Sequence, residues 1–367
     1  MNNFLGQDGF QWFIGVVEDR DDPKFLGRVR VRCLGYHTED KLQLPTEDLP
    51  WASPVLPITS SGISGIGQTP LGLVEGSWVF GFFRDSNYMQ EPIVLGSLPG
   101  RPVEEAGTTG FYDPNQIFPR HINEPDVNRL AVNAKDAEGN ETNPHLALEL
   151  RRSTRITGVA TADFDAALAA DNTSIASSAS DTWDQPEIAY AAEYPNNHVY
   201  ESESGHLLEF DDTADKERIH LYHKTGSSIE YNPNGDRVQI VKGADYVLTS
   251  GANEVQIEGK SDISIGGRHK VFINKDGESG NHYDIQIGPN ANINIQVDTG
   301  SVNVVTKQGS INVNSGGDYN LKVGGNYTLA VAGNIVESAK TQTTNVDGEV
   351  EINAGEVDIN AVPINLN

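Results

Sequence analysis

Glycine recurs at every eighth residue over two stretches of this chain, at Gly235, Gly243, Gly251, Gly259 and Gly267, and again at Gly309, Gly317, Gly325 and Gly333. Apolar residues keep the same step: Val247, Val255, Ile263 and Val271 in the first stretch, and Ile311, Tyr319, Tyr327 and Ile335 in the second. Within an octad the residues alternate, as in Ile311-Asn312-Val313. Period-2 alternation marks a strand with one buried face, and a recurring glycine marks a corner after it. A strand takes roughly 5–6 residues, so an octad holds one strand and one corner and little else. One such strand cannot enclose a core. If several copies wind together, each supplies one side of every coil, and closure removes the free strand edges that would otherwise aggregate. The repeat therefore predicts an intertwined homotrimer, a triangular prism with Val247, Val255, Ile263 and Val271 turned inward.

The register breaks once, between Gly267 and Gly309, where 274–283 is expected to loop outward, because a one-residue shift would turn the apolar face to solvent. Alternation resumes and continues to Ile364 and Leu366, so the prism is expected to run almost to the last residue.

The rest of the 367-residue chain is long enough for more than one domain. Residues 1–103 read as a small all-β barrel of the OB type, with strand-like runs at Trp12–Glu18, Gly27–Leu34, Trp78–Phe83 and Ile93–Leu98 between Gly/Pro/Asp-rich turns. The loop 58–67 is rich in Gly and Ser, but no Gly-Lys-Ser/Thr follows and no helix opens, so it reads as a loop at a subunit contact rather than a phosphate cradle. Residues 104–193 read as an extended linker with two short candidate helices, Leu146–Arg152 and Asp163–Ala170. Residues 194–234 read as a β-rich neck of four strands, and 235–367 as the repeat rod.

Charge narrows the partners. With 52 acidic and 26 basic residues the net charge is −26, which opposes binding to phosphate backbones and gives solubility. No nucleic acid is expected. Cys33 is the single cysteine, which excludes an intrachain disulfide and a cysteine zinc site. No apolar run approaches the ~18 residues of a membrane span, and no secretion-signal pattern opens the chain. Neither a metal nor a cofactor is expected; His269 and His282 flank the register break and read as surface histidines.

Several ordered runs carry a resemblance. They are Trp12-Phe13-Ile14-Gly15-Val16-Val17-Glu18-Asp19-Arg20, Leu26-Gly27-Arg28-Val29-Arg30-Val31-Arg32, Leu44 to Trp51, Ile93-Val94-Leu95-Gly96, Glu203-Ser204-Gly205-His206 and Glu209-Phe210-Asp211-Asp212-Thr213, followed by the octads. The chain resembles the central-spike family of contractile-tail phage baseplates, whose better-known members carry an embedded lysozyme, and is similar to VgrG spikes of secretion systems. The resemblance implies a trimer of OB domain, connector and triple-stranded β-helix in the virion tail baseplate. It implies a ring-shaped hub protein at the OB end and a rod that plugs the tube and pierces the host outer membrane on sheath contraction. It also implies a PAAR-type tip protein on a blunt end formed by Ile364 and Leu366.

A lysozyme domain is not expected here. A glycosidase needs paired carboxylates fixed in a rigid cleft. Glu138, Glu141, Glu149 and Asp163 lie in a low-complexity interval of about ninety residues with no core to hold them. The chain reads as non-enzymatic, with no catalytic residues. Three rival readings are weaker. A polysaccharide-cleaving tailspike needs longer single-chain coils. A calcium β-roll repeats every ninth residue, and Gly316-Gly317-Asp318 and Gly324-Gly325-Asn326 echo it only weakly. The usual VgrG form fuses its hub ahead of the OB domain, which here starts within about a dozen residues of Met1.

Overall fold

A computed structural model describes residues 11–85, 88–99, 127–131, 174–184, 186, 189–274, 279–280 and 282–360. Its contacts divide the chain into two units, Met1–Val271 and Phe272–Asn367.

The first unit opens with five strands: β1 (Gln11–Asp19), β2 (Val29–Cys33), β3 (Trp51–Pro54), β4 (Trp78–Phe83) and β5 (Pro92–Ser97). They close as a barrel in the order β1-β2-β3-β5-β4, with β3 and β5 the parallel pair. This is the order of an OB barrel. Inward side chains Phe13, Val17, Val29, Val31, Cys33, Ala52, Val79, Phe83 and Val94 fill it. Gly81 lets β4 and β5 approach: a Cβ there would strike the Ile93 carbonyl oxygen and the Phe13 ring. The sequence named four of these strands to within two residues and missed β3, which is short and ends in proline.

Buried charge fixes the barrel loops. Arg32, on β2, is fully buried and donates to both oxygens of Glu18 on β1 at 2.7 and 3.0 Å. Its other donors reach the Thr38 and Leu44 carbonyls at 2.7 and 2.8 Å, which ties down the β2–β3 connection. Burial alone would push Glu18 up, yet the hydrogen bonds from Arg32 and Thr46 and the Arg32 and Lys41 charges hold it below the usual carboxylate range. Asp22 organises the β1–β2 loop by accepting from the backbone N–H groups of Lys24, Leu26 and Arg28 and pairing with the Arg28 guanidinium.

Two short strands, β6 (Ser174–Ala176) and β7 (Thr182–Asp184), form a hairpin inside the span read as linker. Leu146–Arg152 and Asp163–Ala170 lie outside the described residues. A second antiparallel sheet follows: β8 (Asn197–Glu201), β9 (Leu207–Asp211), β10 (Arg218–Tyr222), β11 (Ser228–Tyr231) and β12 (Arg237–Ile240), in sequential order. Gly205 (φ 83°) and Gly235 (φ 82°) turn two of its connections in the left-handed region. The fifth strand, β12, falls inside the stretch that the octad register claims from Gly235.

From Val241 to Asn360 the described residues form no strand, and every one is exposed except Asp262. The chain there runs extended between bends, and all nine repeat glycines from Gly235 to Gly333 sit at turns or bends. Only Gly235 and Gly309 have positive φ, 82° and 109°. At the other seven the bend does not require the left-handed region.

Candidate assembly surface

The neck sheet has its polarity reversed. Its strand register places Asn197, Asp211 and Arg218 in one row and Val199, Glu209, His220 and Glu230 in the next, all on one face. That face is covered. Leu130 is fully buried against it, and Tyr190, whose hydroxyl donates to the Leu130 carbonyl at 2.7 Å, stands 5.3 Å beneath the Arg218 guanidinium.

Glu209 is the hub of the covered face. It accepts from Arg218 at 2.7 Å and Asn197 at 3.0 Å through one oxygen, and lies 2.8 Å from His220 Nδ1 through the other. Arg218 also donates to Glu230 at 3.0 Å, and Glu230 in turn accepts from the Ala189 N–H. Burial by itself would raise the Glu209 pKa; the His220 hydrogen bond, the Arg218 charge and the Asn197 hydrogen bond outweigh it and hold the carboxyl below its ordinary value.

The opposite face is apolar and open. Tyr200, Leu208, Leu221 and Ile229 form one cross-strand row, and Phe210, Ile219 and Tyr231 form the next. Tyr200 is 67% exposed and Leu221 53%. A two-row apolar face on a five-stranded sheet, left in water, opposes folding of an isolated protomer.

The exposed apolar character continues into the octads. Val247, Val255, Ile263 and Val271 are 80, 75, 81 and 59% exposed, and Ile311, Tyr319, Tyr327 and Ile335 are likewise open. Residues two positions further along share their side, because alternate residues line one face. Ile257, Ile265 and Ile273 fill those places in the first stretch, and Val313, Leu321 and Leu329 in the second. The sequence reading named only one apolar position of each octad in the first stretch; alternation itself was the signal for the other. Ile364 and Leu366 lie outside the described residues.

The barrel carries an apolar patch of its own. Outward-facing Trp12 on β1 stacks on Phe80 of β4 with ring centroids 5.2 Å apart and planes 1° from parallel, beside exposed Ile14 and Leu95. Barrel and neck meet at Arg20, which reaches Glu203 at 2.8 and 3.1 Å and Glu75 at 3.3 Å. Among the described residues no group of three or more His, Cys, Asp or Glu side chains could hold a metal, and no helix is long and apolar enough to cross a membrane.

Parts of the chain are similar to known proteins. Residues 35–187 match the Gp5 N-terminal OB domain family, from just after β2, past β5 and on through the connecting segment. The chain is 39% identical over 266 residues to Protein Gp5 of Vibrio phage KVP40, across 66% of this chain and 60% of that protein. It is 46% identical over 121 residues to the pre-baseplate central spike protein Gp5 of Enterobacteria phage T4, across 31% of this chain and 21% of that protein. The match thus spans less than two thirds of either relative.

Proposed function

We propose that this chain, similar over part of its length to phage Gp5 proteins that include a pre-baseplate central spike protein, is a structural spike, an intertwined homotrimer in the virion tail baseplate. One observation carries the proposal: from Val241 to Asn360 the described protomer buries nothing but part of Asp262, although many of its alternate residues are Val, Ile, Leu or Tyr. At roughly 25 cal/mol per Å² of apolar surface, a stripe of that length supplies a large drive to associate. Three copies satisfy it, each giving one strand per layer to a closed triple-stranded β-helix. The open apolar face of the neck sheet turns toward the same interior, while its charged face stays sealed by Leu130 and Tyr190.

Mechanics follows from this closure. Every strand in the prism is hydrogen-bonded to strands of other chains, so compressive load is shared along the whole ladder and no single protomer can peel away. Such a rod suits piercing of the host outer membrane and plugging of the tail tube. The Trp12–Phe80 patch on the barrel suits attachment to a hub protein, and the far end suits a PAAR-type tip. The chain acts without catalysis: the interval between barrel and neck offers about ninety residues, too few and too polar to build a glycosidase cleft. An alternative placement on the same architecture is a VgrG-like spike of another contractile injection machine.

Val255→Asp tests the prism, because it sets a carboxylate from every copy at one level of the axis. The expected result is loss of the trimer in native mass measurement with barrel and neck still folded by circular dichroism. A trimer of unchanged mass and thermal resistance would show that Val255 faces outward.

A further inference from the structure

The hairpin β6–β7 does not stand free. Ser264 Oγ donates to the Ala176 carbonyl at 2.6 Å, and Ser177 Oγ donates to Asp262 Oδ1 at 3.4 Å. Lys260 Nζ lies 3.0 Å from Asp262 Oδ2 and 3.6 Å from Asp181 Oδ2. The three octad residues alternate, Lys260, Asp262 and Ser264, so they occupy one side of the extended chain, opposite the side of Ile263 and Ile265. Asp262, with its side chain 23% exposed, is the single described residue from Val241 to Asn360 that is not open to solvent. Two strands of three residues each cannot persist in water alone, so the hairpin needs this platform.

The platform is unlike its neighbours. The corresponding side of the preceding octad reads Ala252, Glu254, Gln256, and of the following one Arg268, Lys270, Phe272. In the second stretch it reads Ser310, Asn312, Asn314, then Asp318, Asn320, Lys322, then Asn326, Thr328, Ala330. No other octad of the repeat offers a Lys-x-Asp-x-Ser triplet.

This matters because the apolar side of the rod repeats. A copy slipped by one octad would bury nearly the same valines and isoleucines, so the inward face specifies register poorly. A sequence with such near-degenerate arrangements needs a feature that penalises the wrong ones. We propose that the Ser174–Asp184 hairpin is a register clip. It docks on the outward side of the Gly259 octad alone, through Lys260, Asp262 and Ser264, and so fixes where along the repeat the intertwined rod begins. The clip deepens the trimeric reading and rests on it.

The test is the full-length triple variant Lys260→Ala, Asp262→Ala, Ser264→Ala, whose changes lie on the outward side. Hydrogen exchange reports docking: amides of 174–184 lose at least tenfold protection in the variant, and unchanged protection overturns the docking. Spin labels placed on Glu254→Cys report register through the distances between copies. The parent gives one narrow distance, and the triple variant, still trimeric by native mass, gives added distances from copies slipped by an octad. A single narrow distance in the variant overturns the register role. A parent of single-protomer mass overturns the trimer beneath the proposal, and the mass measurement identifies that failure as distinct from the other two.

Discussion

Removing Glu209 unseats the neck from within. Its carboxylate receives Arg218, Asn197 and His220 at 2.7, 3.0 and 2.8 Å in a site with no solvent exposure. Glu209→Ala leaves Arg218 with Glu230 as its only carboxylate among the described residues and strips His220 of its 2.8 Å contact. Breaking a buried pair by deleting one partner costs about 3–5 kcal/mol. That converts to roughly a 150- to 5,000-fold rise in the opening constant of the sheet. Native-state hydrogen exchange on the amides of β9 and β10 reads this constant directly. His198→Ala, which removes an exposed contact to Asp212, is the control and shifts exchange by less than threefold. The pH dependence has a fixed sign. Glu209 has a lowered pKa when folded, so its contribution is present above the unfolded value of about 4.3 and is lost as pH falls below it. The parent's protection therefore falls on acidification from pH 5 to 3, and Glu209→Gln flattens that fall. Protection in Glu209→Ala within threefold of the parent would refute the account of the covered face as an ionic core.

Other consequences concern the barrel. Gly81→Ala forces a methyl into the Ile93 carbonyl and the Phe13 ring, and thermal melting should drop by many degrees or the barrel fail to close. Burial pushes the Cys33 thiol up to about 12, so a thiol-reactive dye at pH 8 leaves it unmodified until denaturant opens the barrel. Arg20→Ala removes an exposed pair and should cost under about 1 kcal/mol of overall stability. Limited proteolysis should nonetheless cut faster between barrel and neck, an effect that high salt reproduces in the parent.

The barrel was legible because its strands obey local rules: β-branched and aromatic runs between Gly, Pro and Asp turns gave β1, β2, β4 and β5. The missed strand, β3, has one fully buried residue, Ala52, and pairs through few positions, so its signal is tertiary. The neck strands were also legible, but not their sides. Leu207-Leu208-Glu209-Phe210-Asp211 alternates cleanly, yet the buried side is the one bearing Glu209 and Asp211. Nothing within that strand reveals this; Arg218 and His220 on β10 and Asn197 on β8 supply partners to Glu209, and Thr213 donates to Asp211, which makes burial of the carboxylates tolerable. The octad period was plain in the sequence, and the extended run with bends at its glycines agrees with it. The clip was invisible beforehand because Lys260, Asp262 and Ser264 look like solvated residues until a distant hairpin meets them.

The central claim is that the repeat completes its core only with other copies of itself. Native mass spectrometry of the purified chain, diluted stepwise to nanomolar concentration, tests it most directly. The account predicts a species of three times the 39.8 kDa chain that persists throughout the dilution, and a single protomer only once residues 235–367 are removed. A folded, thermally stable 39.8 kDa protomer of the full chain would contradict it.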